Sequence, residues 1–218
     1  MINKEKLAMN IIDAYLNNNF LLEQDFLSCN ACSLDELVLW QKNKIFPLPS
    51  YTTDNVYSVN SFFGKHNITE SHRWYAKGLC DWVNLVREYS YDHNKLKSLF
   101  FYRYENKIKE LQQTGIYDNE TDYNQVMEDA WNHFLDGTYG VCTKDNSPEQ
   151  IAAKGVAVRV IDRITEKQLR NAIPESDMNT LIASVNLLDA VSSMFAPHER
   201  EMSSRKRCIE LVRSKYLS

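Results

Sequence analysis

Apolar residues recur three and four positions apart along most of the chain, the period that puts them on one face of an α-helix. Tyr75, Leu79, Trp82, Val86 and Tyr89 fall on one stripe between residues 71 and 90. Leu96, Phe100, Tyr104, Ile108 and Leu111 do so on the next, closed by Gly115. Leu7, Ile11 and Tyr15 mark a first helix over residues 4–16, and a further helix spans 121–136, stopped by Gly137. Ser147-Pro148-Glu149-Gln150 joins a capping serine, a proline at the first helical position and a glutamine at the third, launching a helix that reaches Asn171. Pro174 separates it from a helix over 176–195, and after Pro197 the pair Ser203 and Ser204 caps a last helix ending near Tyr216.

Towards the N-terminus Ser33 and Glu36 form a capping box, with Leu34, Leu37 and either Trp40 or Val38 supplying the apolar side of the helix that follows. Pro47 and Pro49 end it. Residues 47–68 hold two prolines, several Ser, Thr and Asn residues and Gly64, the composition of a loop. Tyr51, Tyr57, Phe62 and Phe63 predict that this loop is packed, because a disordered tether carries few aromatics. The expected fold is therefore all-α: a helical bundle over 71–218, a packed linker loop over 51–70 and a helix-turn-helix-like subdomain over 1–50. Composition agrees, since 6 Gly and 5 Pro in 218 residues fall below the roughly 7% and 5% of ordinary usage and leave little for tight β-turns.

A net charge of −4 gives no bulk field that would draw the chain onto nucleic acid or an anionic membrane. Nor does any run of about 18 apolar residues occur to span a bilayer. Asn10, Asp13 and Asn17 to Asn19 interrupt the apolar region a signal peptide needs, so a cytoplasmic setting is expected. Cys29, Cys32, Cys80, Cys142 and Cys208 make an odd set, expected as free thiols. Cys29 and Cys32 have CxxC spacing, but no second pair follows, so they read as small residues in a helical turn. No cofactor is expected.

Two constellations carry candidate chemistry. His133 and Asp136 stand three apart on one helical face, and the turn after Gly137 brings back Tyr139 and Cys142. A thiol beside an imidazole is the minimum for a cysteine nucleophile, although no oxyanion-hole motif accompanies it. His133 and Asp136 would supply only two metal ligands, with no third or fourth identifiable among His66, His72, His93 and His198, so no metal site is expected. In the second constellation, Pro197-His198-Glu199-Arg200-Glu201 precedes Ser203-Ser204-Arg205-Lys206-Arg207 at a helix start. Cations in a first turn oppose the helix dipole, so an anion is expected beside them. Arg200 and Arg205 are expected to face one acceptor, either a protein carboxylate or a bound phosphate-like or carboxylate ligand, with His198 at the edge.

Residues 26–47, FLSCNACSLDELVLWQKNKIFP, resemble the helix-turn-helix of MerR-type regulators: small residues at the turn, Ser33 as cap, Leu37, Trp40, then Ile45-Phe46-Pro47. That resemblance implies a second helix for the major groove. Here its polar face shows Asp35, Glu36 and Gln41, with positive charge only at Lys42 and Lys44, so DNA is disfavoured in favour of a protein contact or plain packing. PLPSY at 47–51, SFFG at 61–64, GTYGVCT at 137–143 and PHEREMSSRKR at 197–207 also resemble an uncharacterised bacterial family loosely labelled as natural-product biosynthesis proteins. It implies an all-helical fold and supplies no catalytic residues. The resulting expectation is a protein that binds or tailors a small anionic ligand. The catalytic candidates are Cys142, His133 and His198, and the ligand candidates Arg200, Arg205, Ser203, Ser204 and Tyr139. The alternative is a non-catalytic regulator that contacts DNA or protein, and a protein partner or homodimer fits either. Whether the chain is an enzyme stays open at this level.

Overall fold

A computed structural model describes residues 4–118 and 121–217, with side chains from residue 11 onward, so Leu7 of the first predicted stripe lies outside the described side chains. In chain order it holds α1 (Lys4–Asn19), β1 (Phe20–Leu22), α2 (Glu23–Cys29), α3 (Leu34–Lys42), β2 (Tyr51–Ser61), β3 (Gly64–Ala76), α4 (Leu79–Glu88) and α5 (His93–Gln113). Then come α6 (Tyr123–Leu135), α7 (Thr138–Cys142), α8 (Pro148–Thr165), α9 (Glu175–Val191) and α10 (Leu211–Tyr216), the last entered through a 3-10 turn at Arg200–Met202 and a π turn at Lys206–Glu210.

The body is built round α8. Its Ile151, Ala152, Ala153, Val156, Ala157, Val160, Ile161 and Ile164 are all buried, a helix apolar on nearly every side, with α5 and α9 packed against it. The Ser147 hydroxyl caps it by accepting from Gln150 N at 3.2 Å, with Pro148 at the first position. The helix stops at Thr165 rather than Asn171, because Glu166, Lys167 and Gln168 all take left-handed φ of 50° to 72°. Trp82, Phe100, Trp131 and Phe134 interlock with ring centroids 4.9 to 6.4 Å apart. Each such buried ring contributes on the order of 1.5–3 kcal/mol over its exposed state.

The all-α expectation is wrong. Among the described residues helix accounts for 61% and strand for 14%, in a three-stranded antiparallel sheet of order β1-β3-β2. The strands β2 and β3 occupy the stretch expected as a loop. Prolines and Gly64 drew the expectation, but Tyr, Thr and Val alternate through β2, which is the strand signal. Gly64, at φ 112°, ends the tight Phe62-Phe63 turn, and Ser61 Oγ accepts from Phe63 N at 3.2 Å, the chemistry of a type I turn. Tyr75, which the periodicity assigned to the next helix, belongs to β3 and is buried against Phe26, ring centroids 5.0 Å apart. Instead of a packed loop, the distal arm of β2 and β3 stands clear of the body, with Phe62 and Phe63 each 96% exposed.

Candidate functional site

Asp136 ends α6, and Gly137 turns the chain at φ 84°, where a Cβ would lie 2.7 Å from the carbonyl oxygens of Leu48 and Pro49. Only glycine lets the turn press so close to the 47–50 segment. Asp136 Oδ1 accepts from Thr138 N at 3.0 Å and from the Thr138 hydroxyl, which starts α7 and leaves Cys142 buried at its far end. Opposite lies Lys154 of α8. The third wall is the 195–204 segment, where Phe195 adopts φ 53° and Ser203 Oγ donates to Arg200 O at 2.7 Å while accepting from Lys206 N at 3.0 Å.

These elements enclose an open cavity of about 480 Å³ whose wall includes Ser50, Thr138, Val141, Cys142, Lys154, Phe195, Met202, Ser203 and Ser204. The hydroxyl oxygens of Ser50 and Ser204 are shut off from solvent without a hydrogen-bond partner among the described residues. A buried hydroxyl left so costs on the order of 1–3 kcal/mol. The Lys154 ammonium sits 5.9 Å from the Phe195 ring centroid, and among the described residues no carboxylate pairs with it. The one wall carboxylate, Asp136, is occupied by Thr138 and by His133 Nδ1 at 3.2 Å. The cavity thus sets a cation and a thiol against apolar Val141, Phe195 and Met202.

Three sequence-predicted residues, Cys142, Ser203 and Ser204, meet in this cavity from segments sixty residues apart. The others lie elsewhere. His133 is exposed, bonded to Asp136 and 6.4 Å from the Tyr139 ring centroid, and no hydrogen bond joins it to Cys142. Tyr139 is half-buried with its phenol pushed up by burial, and does not line the cavity. Arg205 pairs with Asp189 Oδ1 at 2.6 Å while Arg213 takes Oδ2 at 2.8 Å, so its acceptor is a protein carboxylate. Arg200 Nε reaches Phe195 O at 3.4 Å, so the two arginines share no acceptor. His198 is exposed, 3.8 Å from Glu199, whose carboxylate also accepts from the Tyr51 hydroxyl at 2.6 Å.

Sequence reasoning missed Lys154, the cavity's cation. The signal was present: a lysine between Ala153 and Gly155 in an otherwise apolar run, where a charge with no carboxylate beside it needs a reason. The CxxC pair also separates: Cys29 Sγ lies 4.0 Å from Cys80 Sγ, with Asn30 Nδ2 within 3.4 Å of both sulfurs, and burial pushes the Cys29 thiol up. Among the described residues no three His, Cys, Asp or Glu side chains cluster to hold a metal. In α3 the Ser33–Glu36 capping box forms, Leu37 and Trp40 are buried, and Gln41 donates to Pro47 O at 2.9 Å. Among the described residues no helix is long and apolar enough to cross a membrane.

The profile of a family described as "Family of unknown function (DUF6058)" matches residues 96–217, more than half of the chain. That span includes Cys142, Lys154, Ser203 and Ser204 but not Ser50 or the β2–β3 arm. No curated protein and no solved structure matches.

Proposed function

This chain belongs to that family of unknown function (DUF6058), and we propose that it binds a small molecule carrying a carboxylate or phosphate-like group in the cavity beneath Lys154. One observation carries the proposal: on the cavity wall the Lys154 ammonium has no carboxylate partner among the described residues and lies against the apolar Phe195 ring. An anionic group in the cavity completes the lysine, because a charge-assisted hydrogen bond from the Lys154 ammonium is about twice as strong as a neutral one. The size suits a ligand of modest bulk, within the roughly 300–1,000 Å³ of ordinary small-molecule sites. Val141, Phe195 and Met202 take up an apolar portion. Cys142 serves here as wall, since no base is hydrogen-bonded to it. A role in natural-product biosynthesis rests on the sequence resemblance alone.

The test is thermal unfolding against a panel of carboxylates and phosphates, with wild type and Lys154→Gln compared. Wild type is expected to gain stability with each rise in the concentration of the fitting anion, following the logarithm of its saturation, while Lys154→Gln shows none of that gain. Equal responses in both proteins, or none in wild type to any anion, overturn the proposal.

A further inference from the structure

The two edges of the β2–β3 arm are built differently. On β3, whose outer edge is free beyond the three residues that pair with β1, stand Lys65, His66, Glu70, His72 and Arg73. On β2, whose outer edge pairs with no strand among the described residues, the single charged residue is Asp54. Nor does β2 carry a proline, a lysine or a bulge: its register with β3 runs unbroken from Tyr51↔Trp74 to Ser61↔Gly64. Charges, prolines and bulges are what keep an edge strand from pairing with another chain. One edge is defended and the other is not.

The same arm shows an apolar side to water. Tyr57, Val59 and Ile68 share one face and are 49 to 51% exposed, Val56 on the other face is 67% exposed, and Phe62 and Phe63 at the tip are 96% exposed. We infer that β2 pairs antiparallel with β2 of a second copy of this chain about a two-fold axis, giving a continuous sheet in the strand order β3-β2-β2-β3. The register that uses all eleven residues of β2 sets Tyr51 against Ser61 of the second copy, and hence Val56 against its own counterpart. In that register Asp54 meets Ser58, so no like charges face each other. The tip of one arm then lies over the 48–50 segment of the other copy, where Leu48 is 48% exposed and Ser50 lines the cavity described above.

The areas suffice. A fully buried Phe removes roughly 150–250 Å² from water, so the two tip rings alone bring about half of the ~800 Å² per partner that a standard interface needs, before the strands are counted. A lipid surface fits less well. The distal arm, residues 56–69, offers Lys65 as its one fixed positive charge, where membrane-binding segments carry clusters of them. A two-fold pairing also closes on itself and leaves only the charged β3 edges outside.

Native mass spectrometry of the full chain, alone and as charge variants, tests the pairing. Wild type is expected at twice the 25.5 kDa chain mass. Val56→Lys and Val56→Glu should each run at the single-chain mass, because like charges then meet at the axis, and their equimolar mixture should return to the doubled mass as a mixed pair. Rescue on mixing shows that each variant is folded and that the two arms meet at Val56. Phe62→Ser with Phe63→Ser should weaken the dimer at least tenfold. A wild type that stays single at micromolar concentration overturns the inference. So does a doubled mass that survives Val56→Lys, or a single chain that binds phosphatidylserine vesicles through its tip. The pairing does not rest on the ligand proposal, since Lys154→Gln should leave the doubled mass unchanged.

Discussion

Phe100, Trp131 and Phe134 are at most 2% exposed, whereas Phe62 and Phe63 are 96% exposed, although all five are large aromatics of one chain. In the body such rings are removed from water by α4, α5, α6 and α8, and their burial is the main source of stability. In the arm they do nothing for the isolated chain. Backbone pairing between β2 and β3 holds the arm, anchored at its root where Trp74, Tyr75 and Ala76 are buried. A two-stranded ribbon alone is marginal in water, so the arm borrows its order from that root and, in our inference, from a second arm. Equal side chains therefore have unequal consequences here: truncation should cost folding in the body and association in the arm.

The largest effect should come from Trp131→Ala. Trp131 is 2% exposed and stacks with Phe134 at 5.7 Å, so its loss leaves a cavity that the surrounding rings cannot close. A cost of about 3–5 kcal/mol is expected from urea unfolding. A cost below about 1 kcal/mol would mean that the body tolerates truncation as the arm does, and the comparison would fail.

Next is Arg205→Ala. Burial pushes the Asp189 carboxyl up, but hydrogen bonds from Arg213 and Arg205 prevail and hold it below the ordinary carboxylate value. A carboxylate depressed by folding contributes stability that is present at neutral pH and fades as pH falls through and below about 4. Arg205→Ala should therefore cost about 1–2 kcal/mol at pH 7, since Arg213 still holds Asp189, and the gap from wild type should shrink towards pH 3. Unfolding curves at the two pH values check both the size and the sign.

How much of this was legible follows from where the signal lies. Caps are local chemistry, so Ser33 with Glu36, and Ser147 with Gln150, sit where the sequence places them. Helical stripes are local too, and Leu96, Phe100, Tyr104, Ile108 and Leu111 are all buried. The arm was not legible as strand because Pro47, Pro49 and Gly64 speak for a loop, while strand pairing depends on partners up to twenty-three residues away. Ser203, Ser204 and Cys142 carried local signals as candidates and Lys154 a lone charge in an apolar run, but only the fold brings α8 across from α7 and sets them on one cavity wall. Arg205 was expected beside an anion and has one, but nothing local said that it would be Asp189.

A smaller effect tests the caps themselves. Ser147→Ala removes the acceptor for Gln150 N at the head of α8, the central helix, and should cost about 1 kcal/mol by urea unfolding. Because α8 is buried on nearly every side, its capping loss should appear in full and not be absorbed by fraying. A change near zero would show that packing alone fixes the start of that helix.

The smallest effect belongs to the arm. Phe62→Ser with Phe63→Ser removes two rings that touch little but each other, their centroids 5.4 Å apart at the turn. At concentrations low enough to keep the chain single, the unfolding free energy should stay within about 0.5 kcal/mol of wild type, as for surface substitutions generally. In thermal unfolding that is a shift of about 2 °C or less for a chain of this size. Serine also suits the turn, so any loss of contact between the two rings is partly offset by easier turn geometry. A loss of several kcal/mol in the single chain would place the tip inside the cooperative core and erase the distinction between body and arm. A null result on stability beside a weakened dimer would instead assign these two rings to association alone.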